Sequence, residues 1–378
     1  MQVNERVAEI NSFLDHSDFD LAIRRMLDLA WETQDLSMIK TVVSWAKEAR
    51  HSLKSETLVN VFTAKEILEK LTTFHIPFSG GALISTENVE KKYTKGNFSL
   101  KPLSLTLNLG EIIGVVGENG NGKTTFLRIL AGELAISAGN IHFHLLDNQK
   151  NDPYTIRQNV SFVPQRIPRW YGYLKDNLHF SASISGLKGE ENEVMVDFML
   201  ERLDLSRYAN HTWDQISSGY KTRFEIARVL LQRPKLLILD EPLANLDINA
   251  QQTLLSDLRY IAKSQFRPIG VVLSSQQLFE VEKMADTVLF LKNGECLIES
   301  KETKNEGKYL SILELETVFD RENLTTIFDS DTVISFNGGY FTLKSSTANA
   351  QQILGKLVSN NVPITYLRDI TLSTKRFF

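Results

Sequence analysis

The chain has 378 residues, enough for two or three domains, with 42% apolar and 23% charged residues, ordinary proportions for a globular protein. A formal net charge of −4 carries no global signal for nucleic acid or an anionic membrane surface, and a single cysteine, Cys296, excludes a disulfide framework or a thiolate zinc site and points to a reducing cytosol. No apolar run reaches the ~18 residues of a membrane span, and the start Met1-Gln2-Val3-Asn4-Glu5-Arg6 lacks the pattern of a secretory signal, so any membrane role is expected through a partner.

Residues 1–80 are expected to be helical. Ile23, Leu27, Ala30 and Trp31 share a face, as do Ile39, Val42, Val43 and Ala46, and then Leu58, Val61, Phe62, Leu68 and Leu71. Polar breaks at Gln34-Asp35 and over 52–56 predict short helices in stacked hairpins, a protein-contact scaffold, without a repeat period. Pro77, Gly80 and Gly81 mark a linker. Residues 82–305 alternate strand-like and helix-like runs, the pattern of an α/β fold. Residues 306–378 form their own small α+β unit. Val333, Ile334 and Phe336 lead into Asn337-Gly338-Gly339 and then Tyr340, Phe341 and Leu343, a hairpin signal. A helix through Ile353, Leu354 and Leu357 and a strand through Ile364, Tyr366 and Leu367 follow.

The chemistry begins in the α/β region. Ile112, Ile113, Val115 and Val116 read as a buried strand, and Phe126, Leu127, Ile129 and Leu130 as a helix face. Between them runs Gly117-Glu118-Asn119-Gly120-Asn121-Gly122-Lys123-Thr124, a complete G-x-x-x-x-G-K-[ST] phosphate loop, followed by Thr125. Glycines let backbone N–H groups turn inward around phosphate oxygens, and the helix start adds its positive end. Lys123 is then expected at the β/γ-phosphates and the Thr124 hydroxyl on Mg²⁺. Further on, Leu236-Leu237-Ile238-Leu239 reads as a buried strand that delivers Asp240 and Glu241 at its end. Asp240 is suited to hold Mg²⁺ and Glu241 to polarise an attacking water as general base; a solvated acidic pair is the bland alternative.

The segment Ile216-Ser217-Ser218-Gly219-Tyr220 opens another helix, where small residues and serines suit a second phosphate-binding surface or a plain N-cap. It resembles the LSGGQ signature of ATP-binding-cassette (ABC) ATPases, and about residues 82–300 resemble the nucleotide-binding subunits of ABC transporters. The resemblance implies a P-loop NTPase core with a helical subdomain over 166–214, binding ATP and Mg²⁺. It makes Tyr93 the aromatic that stacks on adenine and Gln165 the Q-loop glutamine near Mg²⁺. Asn245-Leu246-Asp247 becomes the D-loop at a dimer interface, with Asp247 among the nucleotide-site residues.

Two departures stand out. Ser218 and Tyr220 occupy a glycine position and the glutamine position of the signature, and Gln276 stands where the switch stretch usually carries histidine. A glutamine amide can still donate to a γ-phosphate but cannot carry a titratable proton, so slower turnover is expected. One phosphate loop and one signature per chain imply pairing with a second cassette, expected as a homodimer in which Ser217–Gly219 of one chain cover ATP on Gly117–Thr125 of the other. The expected role is the ATPase subunit of an exporter-type transporter, cytoplasmic and peripheral to the membrane through a separate permease subunit, with no nucleic acid partner. The rival is a soluble, non-transport cassette acting as a nucleotide-dependent switch on a protein or ribosome.

Overall fold

The computed structural model describes residues 3–55, 58–72, 80–94, 98–145, 152–244, 246–264, 267–276, 278–300, 309–328, 331–337 and 339–371. Met1, Gln2, Glu56, Pro77, Asn245 and Gly338, which the expectations above touch, lie outside the described residues. The chain divides into two compact units, one of residues 1–276 with 289–297 and one of 277–288 with 298–378.

The first unit opens with four helices, α1 (Val3–Asp15), α2 (Phe19–Thr33), α3 (Leu36–Lys54) and α4 (Val61–Leu71). Local chemistry sets their starts: Asp35 and Asn60 are N-caps whose side chains accept from the N–H groups of Met38 and Thr63. Ile23, Leu27 and Ala30 of α2 and Ile39, Val42, Val43 and Ala46 of α3 are buried as expected. The third stripe needs correction. Ala64, Ile67, Leu68 and Leu71 form the buried face of α4, while Leu58 precedes the helix at 97% exposure and Phe62 is 72% exposed. The N-cap at Asn60 starts the helix after Leu58, so one periodicity cannot run through both.

β1 (Ala82–Lys92), β2 (Ser99–Asn108) and β4 (Ala138–Phe143) form an antiparallel sheet of order β2-β1-β4. β3 (Ile112–Val116), β5 (Val160–Val163), β6 (Leu236–Leu239), β7 (Gly270–Ser275), β8 (Thr287–Lys292) and β9 (Glu295–Ser300) make a six-stranded sheet of order β5-β6-β7-β3-β8-β9. The β5–β6, β6–β7 and β7–β3 pairings are parallel. Every residue of β3, β6 and β7 is buried, the signature of parallel strands covered on both faces. α5 (Lys123–Leu130) follows β3 directly and buries Phe126, Leu127, Ile129 and Leu130 in the same core as Ile113, Val115, Ile238 and Val272. Cys296 of β9 packs against this core, a small apolar side chain in a strand.

Between β5 and β6 the chain forms α7 (Leu174–Ile184), α8 (Gly189–Arg202) and, after two short 3₁₀ turns, α9 (Ser218–Leu230); α6 (Pro153–Asn159) precedes β5 and α10 (Ile248–Ala262) follows β6. The N-terminal helices pack against α8 and α10. Trp31 of α2 stacks on Phe198 of α8 at 5.1 Å, and a buried ionic network ties Asp28, Arg25, Arg202 and Asp257 together.

The second unit holds α11 (Leu278–Met284) and a four-stranded sheet of order β11-β12-β10-β13, from β10 (Ser311–Thr317), β11 (Thr332–Asn337), β12 (Tyr340–Ser345) and β13 (Ile364–Asp369). The expected hairpin is present, with Asn337 paired to Tyr340. α12 (Arg321–Ile327) and α13 (Ala350–Ser359) complete it, and Leu315, Leu324, Leu343, Ile353 and Leu357 form its core. The architecture is thus a P-loop NTPase α/β core preceded by a helical region and followed by a small α+β unit.

Candidate functional site

Parallel strands expose their carboxyl ends along one edge, where loops converge. Here β3 ends in the phosphate loop, β5 leads to Gln165, β6 ends in Asp240-Glu241 and β7 ends beside Ser274, Ser275 and Gln276. The phosphate loop needs its glycines for space. A Cβ on Gly117 would lie 2.3 Å from the Leu291 carbonyl oxygen; Gly122, at φ +101°, would set one 2.6 Å from the Phe98 ring.

Lys123 opens α5 at 5% exposure. Its Nζ donates to the carbonyls of Gly117 at 2.6 Å and Glu118 at 3.2 Å, and forms an ion pair with Glu241 Oε1 at 3.0 Å. Thr124 Oγ1 donates to Asp240 Oδ2 at 2.8 Å. Asp240 is 4% exposed, and its other oxygen, Oδ1, accepts from Ser274 Oγ at 2.6 Å. That same Ser274 oxygen accepts the Glu241 N–H at 2.8 Å. One buried hydroxyl therefore fixes both members of the acidic pair. Glu241 sits at φ +52°, a left-handed conformation that costs a non-glycine residue ~1 kcal/mol or more and persists only when its surroundings hold it.

A cavity of about 400 Å³ lies over this loop. Asn119, Gly120, Gly122, Lys123, Thr124, Thr125, Gln165 and Glu241 line it, with Tyr93 and Phe98 on its walls. Tyr93 is 40% exposed, its hydroxyl hydrogen-bonds Thr125 Oγ1 at 3.1 Å, and its ring lies 6.4 Å from that of Phe98. A half-open aromatic face hydrogen-bonded to the phosphate-loop helix can stack on a planar base.

The other expected residues lie elsewhere. Ser217 is the N-cap of α9 but its side chain makes no capping bond; Ser218 and Gly219 follow in the first turn. None of the three lines the cavity. A Cβ on Gly219 would lie 2.8 Å from a terminal methyl of Leu246, so the start of α9 and the Leu246 side chain approach closely. Asp247 caps α10, accepting the Ala250 N–H at 2.9 Å, and is also outside the cavity lining. Gln276 follows β7 as an exposed residue and is not among the lining groups. Sequence reasoning missed two residues, Ser274 and Phe98. Ser274 was legible only as a polar residue ending an apolar strand; its double role needs the β6–β7 pairing.

The donor set suits Mg²⁺: hydroxyl, carboxylate and amide oxygens, all hard ligands, from Thr124, Asp240 and Gln165.

The family model "ABC transporter" matches residues 100–244. An uncharacterized ABC transporter ATP-binding protein of Bacillus subtilis, YxlF, is 34% identical over 215 residues, 56% of this chain and 69% of that protein. Among solved structures, cbiO1 of Clostridium perfringens, described as part of the ABC transporter complex cbiONQ, is 27% identical with a TM-score of 0.53, over 60% of this chain and 91% of that one. The ATP-binding cassette MJ0796, solved as a dimer in a post-hydrolysis state with ADP and Pi, is 25% identical with a TM-score of 0.51, over 58% and 98%. Several further relatives at 27–32% identity are named as import ATP-binding proteins.

Proposed function

As this chain belongs to the ABC transporter ATP-binding proteins, we propose that its cavity binds ATP and hydrolyses it to drive a separate membrane subunit. The observation that carries this reading is the convergence of Lys123, Thr124, Asp240 and Glu241 at one sheet edge, with ion-pair and hydrogen-bond distances of 3.0 and 2.8 Å.

The roles follow from chemistry. Tyr93 takes the adenine face, and the backbone from Gly117 to Thr125, with Asn119, Gly120 and Gly122, wraps the phosphates. Mg²⁺, held by Thr124, Asp240 and Gln165, supplies charge neutralisation at the phosphate oxygens when bound. Lys123 pairs with Glu241 at 3.0 Å. A phosphate oxygen competing for that ammonium frees the Glu241 carboxylate to polarise water, so nucleotide binding itself liberates the base. Ser217, Ser218, Gly219 and Asp247 do not line the cavity; they act on ATP held by a second cassette, in a head-to-tail homodimer. Gln276 then donates its amide N–H toward the γ-phosphate.

The finer assignments are a helical region over 1–80, a cassette over 82–305 with its helical subdomain at 166–214, and an accessory domain over 306–378. The protein works at the cytoplasmic face of the membrane through its permease partner. The Ser-Ser-Gly-Tyr-Lys spelling of 217–221 and the C-terminal extension support an exporter-type system by resemblance; relatives with a stated direction are import proteins. Reconstitution with the co-purified membrane subunit, and the direction of ATP-dependent flux, decides between them.

The test of the core proposal is Glu241→Gln. With ATP and Mg²⁺ it should sediment as a dimer and hydrolyse slower by about 10²–10⁴-fold, the usual contribution of a general base. A variant that stays monomeric and fully active refutes the scheme.

A further inference from the structure

A second cavity, of about 180 Å³, lies in the first unit between the N-terminal helices and the cassette. Its charged lining is two guanidiniums and one carboxylate: Arg233, Arg267 and Glu191. Arg233 follows α9 and precedes β6, and Arg267 precedes β7, so both stand at the amino edge of the parallel sheet, opposite the nucleotide site. Arg233 pairs with Glu191 at 2.6 Å. The Arg267 side chain has no hydrogen bond or ion pair among the described residues. Burial and the like charge of Arg233 both pull its pKa below the ordinary arginine value, and no carboxylate offsets them. The remaining walls are Trp31, Leu36, Ile39 and Met195 with the Gln34 amide. Trp31 stacks on Phe198, at 5.1 Å and 18° between planes.

The arrangement is unfavourable as plain structure. Arg267 is half buried with no counter-charge of its own, beside an Arg233 that shares the one carboxylate at the solvent-open rim, and a packed aromatic plane stands beside them. Groups held in that way become favourable when an anion enters, because a guanidinium fork matches an oxyanion and the partial burial of Arg267 strengthens its bond. Counting the lining charges leaves one positive charge over, and apart from the Gln34 amide the other walls are apolar.

We propose that this cavity is an effector site for a small organic monoanion, with its oxyanion head at Arg233 and Arg267 and its apolar body on Trp31, Ile39 and Met195. The walls come from α2, α3, α8 and the approaches to β6 and β7, so an occupant joins the N-terminal helices to the cassette. This inference stands apart from the nucleotide reading, since the cavities lie at opposite sheet edges.

The probes are benzoate and phenyl phosphate, which distinguish a carboxylate from a phosphate head, with benzyl alcohol as the neutral control. The readouts are the indole N–H resonance of Trp31, assigned with Trp31→Phe, and the melting temperature of the full chain. At least one anion should shift the Trp31 resonance saturably and raise the melting temperature, while benzyl alcohol does neither. Arg267→Gln should weaken that binding at least about tenfold, the loss of one charge-assisted hydrogen bond. It should also melt no lower than the parent, because it removes an uncompensated charge. The proposal is overturned if neither anion saturates in the millimolar range, if Arg267→Gln binds as tightly as the parent, or if it melts lower.

Discussion

Replacing Asp28 with alanine isolates the bond between the N-terminal helices and the cassette. Asp28 Oδ1 accepts from Arg202 Nε at 2.7 Å and from Arg202 Nη2, and Oδ2 accepts from Arg25 Nη1 at 2.7 Å. All three side chains are 5–7% exposed. On truncation Arg25 keeps Ser256 Oγ at 2.7 Å and Asp257 at 3.8 Å. Among the described residues Arg202 keeps no hydrogen-bonded carboxylate, only the longer-range attraction of Asp257, and its Nη1 already lacks a hydrogen-bond partner. Removing one partner of a buried pair costs ~3–5 kcal/mol, because the other charge stays desolvated. In a unit of this size a kcal/mol moves the melting temperature by roughly 2 °C, so a fall of about 6–10 °C is expected. Scanning calorimetry of the full chain reads it. The double variant Asp28→Leu/Arg202→Met removes both charges and should recover most of the loss. If Asp28→Ala melts within about 1 °C of the parent, the network contributes nothing and the reasoning fails.

Three further outcomes are expected. Ser274→Ala leaves the Glu241 N–H and Asp240 Oδ1 without their shared partner, so stability should drop by about 1–3 kcal/mol and the Mg²⁺ needed for half-maximal ATPase should rise; unchanged Mg²⁺ dependence would count against its role. Gln276→His should raise kcat, because a titratable donor replaces an amide at the position proposed to reach the γ-phosphate; steady-state ATPase assays give the answer, and an unchanged kcat contradicts it. Cys296 should resist thiol reagents at pH 8 until the chain unfolds, since burial pushes its thiol up to about 12 and the thiolate is scarce below that pH; rapid labelling under native conditions would disprove its packing.

What the sequence alone determined is the part of the site written in contiguous residues. The phosphate loop is legible because glycine spacing sets a local backbone path, and the Asp240-Glu241 tip because an apolar strand must end at a sheet edge. The hairpin at 332–345 is likewise local, set by its turn residues. Tertiary structure decided the rest. Ser274 touches Asp240 and Glu241 across a separation of 33–34 residues, through a parallel pairing that no short pattern encodes. Asp28 meets Arg202 from 174 residues away, and only the folded chain makes those two ions partners instead of surface charges. Periodicity misled at Leu58 and Phe62 for a related reason: it describes a face, while the cap at Asn60 and the neighbouring helices decide which side that face turns to. Local rules fix where backbone bends and which atoms it offers; burial, and with it the strength of every charge in this protein, exists only once distant segments close over one another.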